Sequence, residues 1–249
     1  MTTGMEILDK YPIDNEKKRV PRVFIMPRLN FKNVEFSHME IVTLGIISSL
    51  TKMKSGDNSH VETDFVNVDY LLAVAGLSRR YKTEIEDSIE GLIDKSIISE
   101  DRHDEIGMSF FAVHLTANNN AYMKINKDEF VMLCKVKNGK AKTNAIFMYI
   151  LLNTYMFKSK DKPETFVTWV GNETISRIMG LSERTVQRTI QQLEDDKCIA
   201  RYTVTMTKTN NFNRRHLISS YDDRYILREH VVRNLTTDDK TRMYGKVVG

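Results

Sequence analysis

Arg184, Gln187, Arg188 and Gln191 stand at i, i+3, i+4 and i+7 within GLSERTVQRTIQQLEDD (180–196). On an α-helix that spacing is one stripe. Val186, Ile190 and Leu193, at i, i+4 and i+7, form the opposite, apolar stripe. The spacing predicts a helix docked through its apolar side, with guanidinium and carboxamide groups in a row on its outer side. Arginine is the bidentate partner of the guanine edge, and glutamine of the adenine edge, in the DNA major groove. The chemistry on offer is base reading. Ser182 and Thr185, at the start of this helix, are candidate phosphate donors beside the first-turn backbone amides.

The elements that position this stripe occur twice. VDYLLAVAGLS (68–78) superposes on NETISRIMGLS (172–182) at an offset of 104. Leu71 falls on Ile175, Val74 on Ile178, and Gly76-Leu77-Ser78 on Gly180-Leu181-Ser182. Ile85, Ile89 and Leu92 match Val186, Ile190 and Leu193 at an offset of 101, so the first copy carries three extra residues after its turn. Upstream, IVTLGIISSL (41–50) matches AIFMYILLNT (145–154) at the first offset. Each copy therefore contains an apolar helix, a polar loop, a short helix, a Gly-Leu-Ser turn, a longer amphipathic helix and β-branched segments. In the turn, glycine accepts the conformation that ends one helix and serine caps the next.

Strands are expected at 97–99 and 110–115 in the first copy, and at 199–207 and 216–221 in the second, with a tip at 208–215. Lys208, Asn211, Arg214 and Arg215 make that second tip basic, and no acidic residue occurs from 203 to 221. A hairpin of this kind suits a phosphate backbone or a minor groove. Helix, helix, turn, helix and two-stranded ribbon is the winged-helix order. The fold class expected is mainly α with small β wings (α+β), as two winged-helix domains in tandem from an internal duplication. The boundaries read as an arm at 1–19, a first domain at 20–118, a second at 119–225 and a tail at 226–249, frayed from about 231.

Residues 172–201, with GLSERTVQR between the two helices, resemble the helix-turn-helix of bacterial winged-helix DNA-binding proteins. Two such units in about 250 residues resemble the replication initiators of plasmids and phages. The resemblance implies that one unit reads origin repeats while the other dimerises or touches backbone. The alternatives are a winged-helix transcription regulator, and an inhibitory interaction module of a mobile element.

Charge divides the copies. Residues 34–116 carry 7 Lys/Arg against 15 Asp/Glu, and residues 121–220 carry 17 against 9. Aligned on Arg184, Gln187, Arg188 and Gln191 are Thr83, Glu86, Asp87 and Glu90, whose three carboxylates phosphates would repel. The second unit is thus expected to bind double-stranded DNA and the first to bind protein, either a second copy or a host replication protein. Arg79, Arg80 and Lys82, at the first turn, are expected phosphate contacts. So are Lys140 and Lys142 in GKAKT (139–143), which lacks the upstream glycine of a phosphate loop and reads as a helix cap.

Other chemistries find no pattern. The six histidines form no His-x-His pair, CxxC and HExxH are absent, and Asp195-Asp196 reads as a helix end. Cys134 and Cys198 read as buried reduced thiols, and the thirteen methionines as core filler. EKKRVPR (16–22) reads as a solvated tail or a basic arm along DNA. No run of eighteen apolar residues and no signal-peptide core occurs. A cytoplasmic, non-enzymatic protein without metal, cofactor, small-molecule ligand or membrane partner is expected.

Overall fold

The computed structural model describes residues 11, 22–31, 34–52, 60–115, 122–136, 139–156, 166–168, 170–206, 213–236 and 246–248. It is an α+β chain of helices and small antiparallel sheets in two compact units, residues 21–154 and residues 155–249 with 1–20.

The first unit runs β1 (Val23–Pro27), α1 (His38–Leu50), β2 (His60–Glu62), α2 (Val68–Ala75), a 3-10 turn (Arg79–Tyr81) and α3 (Lys82–Asp94). It continues with β3 (Ile98–His103), β4 (Met108–His114), β5 (Tyr122–Asn126), α4 (Lys127–Val136) and α5 (Gly139–Tyr155). One sheet has the order β2-β4-β3, and β1 pairs separately with β5. α1 begins at a capping box: Glu40 N–H donates to Ser37 Oγ at 3.1 Å, and Ser37 N–H donates to Glu40 Oε2 at 2.7 Å. The other Glu40 oxygen accepts from Lys95 Nζ at 2.6 Å, so the buried carboxylate ties α1 to the end of α3.

α1 and α5 are buried over most of their length. They approach closely at Gly45, where an added Cβ would lie 2.5 Å from Ile150 Cδ1 and 3.2 Å from the Phe130 ring. This contact bears on the expected boundary at 118/119. α5, the sequence match of α1, was expected to open the second domain, but it packs within residues 21–154. β5 brings it there by pairing with β1, Val23 opposite Asn126 through Pro27 opposite Tyr122. That grouping also moderates the charge contrast. Residues 21–154 hold 16 Lys/Arg and 17 Asp/Glu, a net of −1, which leaves +5 for the other unit.

The second unit contains α6 (Asn172–Met179), α7 (Glu183–Asp195), β6 (Ile199–Met206), β7 (Asn213–Ser220), a 3-10 turn (Tyr221–Asp223), α8 (Arg224–Thr236) and β8 (Lys246–Val248). Its sheet has the order β7-β6-β8, and Thr168 adds a single bridge to Ile218 on the far side of β7. Tyr11, Val167, Ala200, Tyr202, Leu217, Leu227 and Val231 form its core. Two expectations change here. Residues 231–236 are not a frayed end, because α8 continues to Thr236 and buries Leu227 and Val231. Tyr11, within the expected arm, is buried in this core; the rest of the arm and most of EKKRVPR lie outside the described residues.

α2 and α6 are both eight residues long at the 104 offset, and α3 and α7 both thirteen at the 101 offset. The 3-10 turn Arg79–Tyr81 supplies the three-residue difference. Gly76 (φ 58°) and Gly180 (φ 63°) end α2 and α6 in the left-handed region, as a helix-terminating glycine does. Ser96 and Lys197 follow α3 and α7 with φ of 54° and 56°.

Candidate nucleic-acid interface

α7 is fixed from one side. Val186, Ile190 and Leu193 are fully buried, and Thr189 is buried beside them, its Oγ1 donating to Thr185 O at 2.9 Å. Ser182 is the N-cap, accepting from Thr185 N–H at 3.3 Å, and the two hydroxyls lie 2.9 Å apart. A cap of this type is worth about 1 kcal/mol. Both hydroxyls expected to donate to phosphate therefore have local partners. On the outer side Arg184, Gln187, Arg188 and Gln191 are all exposed. Removing them from water is not required for folding, so their identities are free of packing constraints.

Gln191 differs from the other three. Its Nε2 donates to Asp195 Oδ1 at 2.9 Å, and its Oε1 accepts from Arg201 Nη2. Arg201 also pairs with Glu194 Oε2 at 2.7 Å. Beneath this pair the His216 imidazole is pushed down to about 4, by burial first and by the Arg201 charge second, against the pull of Glu194.

The candidates of the expected basic tip are only partly placed. Arg214 and Arg215 lie in β7, opposite Thr205 and Val204. Their side chains lie outside the described residues, as do Lys208 and Asn211 entirely.

The first unit holds the remaining candidates. Arg79, Arg80 and Lys82 are exposed. Arg80 stacks over the Tyr81 ring at 5.0 Å and lies against Gly139 at the start of α5, where an added Cβ would sit 2.9 Å from Nη2. Arg80 and exposed Lys140 are thereby brought to one end of α5, while Lys82 lies 3.8 Å from Asp69. Ser78 makes no capping bond, because the 3-10 turn separates it from α3.

Lys142 is a correction. Its side chain is buried, and Nζ donates to Ala75 O at 3.0 Å, to Gly76 O at 2.7 Å and to Cys134 O. These carbonyls close the C-terminal ends of α2 and α4, where a cation offsets the partial negative charge. Burial pushes the lysine below its usual range, and pushes the neighbouring Cys134 thiol up to about 11. The ammonium is a structural cap, unavailable to a phosphate.

On α3, Thr83, Glu86, Asp87 and Glu90 are exposed, opposite buried Ile85, Ile89 and Leu92. Two residues next to the α7 stripe escaped the sequence reading. Arg201 lies in a strand, outside the helical period, and Tyr11 is 190 residues from its nearest backbone partner, so no local pattern signals either. Among the described residues no group of His, Cys, Asp and Glu is arranged to hold a metal ion, and no helix is long and apolar enough to cross a membrane. No protein-family model matches the chain, and neither does any curated protein sequence.

Proposed function

We propose that this chain is a sequence-specific double-stranded DNA-binding protein that acts as a plasmid or phage replication initiator on origin repeats. It does so as two winged-helix domains descended from an internal duplication. The exposed Arg184, Gln187 and Arg188 on a helix whose opposite side is fully buried carry this reading. Side chains that no described residue covers, in types that match guanine and adenine edges, are suited to the major groove. The strand order β2-β4-β3, the Thr168 bridge beside β7, and the matched lengths of the helix pairs support the winged-helix assignment. Arg214 and Arg215 belong to the hairpin that would follow the phosphates.

The acidic α3 stripe favours a division of labour in which the first unit binds protein, either a second copy or a host replication protein. The same stripe supports a second reading, an interaction module of a mobile element. A transcription regulator would use the same α7 residues at promoters. The reading places the protein in the cytoplasm and assigns it no enzymatic step.

The test is selection of bound fragments from source DNA, then footprinting at two salt concentrations. Clustered short repeats beside an AT-rich stretch support an initiator, and single sites over promoters a regulator. Absence of enrichment at either salt overturns DNA reading and turns attention to α3.

A further inference from the structure

The four residues of the α7 stripe are equal in sequence but not in the fold. Reading adenine bidentately needs both the carbonyl and the amino group of a glutamine side chain. Gln187 is exposed with neither group held by a described partner. Gln191 has both committed within the molecule, one to Arg201 and one to Asp195. Arg201 holds Gln191 and Glu194 together: its Nη2 donates to Gln191 Oε1 and lies 2.7 Å from Glu194 Oε2 as an ion pair, from a planar guanidinium fork whose orientation is fixed as a unit. The side chains of Arg201 and Glu194 are only 14% and 8% exposed, so the anchor of the clamp is withdrawn from bulk water, while Gln191 itself lies at the surface.

The clamp is itself braced from the far end of the sequence. Tyr11 donates its hydroxyl to Glu194 Oε1 at 2.7 Å and accepts from Arg201 N–H at 2.9 Å. Its ring meets Tyr202 and Tyr221 edge-on, with centroids 5.4 and 6.3 Å away. One residue of the N-terminal segment thus fixes both partners of the ion pair.

We propose that Arg201 and Tyr11 are specificity-determining positioning residues: by holding Gln191 against the end of α7, they confine base reading to Arg184, Gln187 and Arg188. Arg201 acts through Gln191, and Tyr11 acts through Glu194 and Arg201. Neither touches a base. The site read by α7 is therefore shorter by about one helical turn of side chains than the stripe suggests. The inference rests on the DNA-reading proposal.

The experiment uses the full chain with Gln191→Ala, Arg201→Lys, the double variant and Tyr11→Phe, each selected on randomised duplex DNA. Arg201→Lys keeps a positive charge beside Glu194, which protects the fold, but a point ammonium lacks the fork. Gln191→Ala alone is expected to leave base preference unchanged at every position. Arg201→Lys is expected to gain an adenine preference of about fivefold or more at one position, and the double variant to lose it. A preference altered by Gln191→Ala in the native background would overturn the inference.

In parallel, the side-chain amide resonances of Gln191 are followed without DNA. They are expected to move in Arg201→Lys and in Tyr11→Phe. Unmoved resonances overturn the clamp whatever the DNA result. Moved resonances in a protein that selects no sequence would instead reject DNA reading and leave the clamp standing.

Discussion

Arg184 and Arg188 stand one turn apart on a helix side that no described element covers. On the proposed reading, Arg184→Ala or Arg188→Ala costs about 1–3 kcal/mol on the preferred site and relaxes base choice at one position. Affinities for the selected site and for random DNA, measured side by side, check this; equal losses on both would move the residue from base reading to backbone contact. His216 makes a prediction independent of DNA. Its folded value of about 4 lies below the ordinary 6.5, so the unfolded chain binds the proton more readily between those limits. Its contribution to stability is therefore complete above about pH 6.5 and is lost as pH falls toward 4. Melting temperatures across that window should fall less steeply for His216→Gln than for the native protein.

The α2–α3 and α6–α7 helix pairs look alike in sequence yet differ in what constrains their turns. At Gly180 an added Cβ meets nothing within 4 Å, so the left-handed conformation is the sole obstacle. Gly180→Ala is expected to cost about 1 kcal/mol. At Gly76 the Cβ would lie 2.6 Å from Lys142 Nζ and 2.7 Å from Cys134 O, and the carbonyl belongs to helix backbone. Gly76→Ala is expected to cost about 2–4 kcal/mol, since overpacking adds to the strain. The serines divide in the opposite sense. Ser182→Ala removes a cap worth about 1 kcal/mol, whereas Ser78 makes no capping bond and Ser78→Ala should be nearly silent. Chemical denaturation of the four variants tests both contrasts at once.

At the scale of the whole chain, the repeat and the compact units do not share a boundary. The repeat offset assigns α5 to the second copy, but Gly45, Phe130 and the carbonyls around Lys142 hold it in the first unit. A fragment of residues 21–154 should therefore unfold cooperatively, while residues 21–118, which lack β5, α4 and α5, should not. Urea titration followed by circular dichroism separates the two outcomes. A cooperative 21–118 fragment would show that the first copy closes its own core.

Local periodicity settled much of this in advance. The buried stripe of Val186, Ile190 and Leu193, the left-handed glycines at 76 and 180, and the three-residue insertion after the first turn follow from short-range rules. Helical spacing and glycine's missing Cβ act within a few residues, so the sequence carries them openly. Tertiary structure alone decided that Lys142 is a buried cap, that Gln191 is held by Arg201, that Tyr11 belongs to the core of the second unit, and that α5 packs with α1. Each of these depends on groups far apart in the chain, and burial or an ion pair between distant residues leaves no periodic trace.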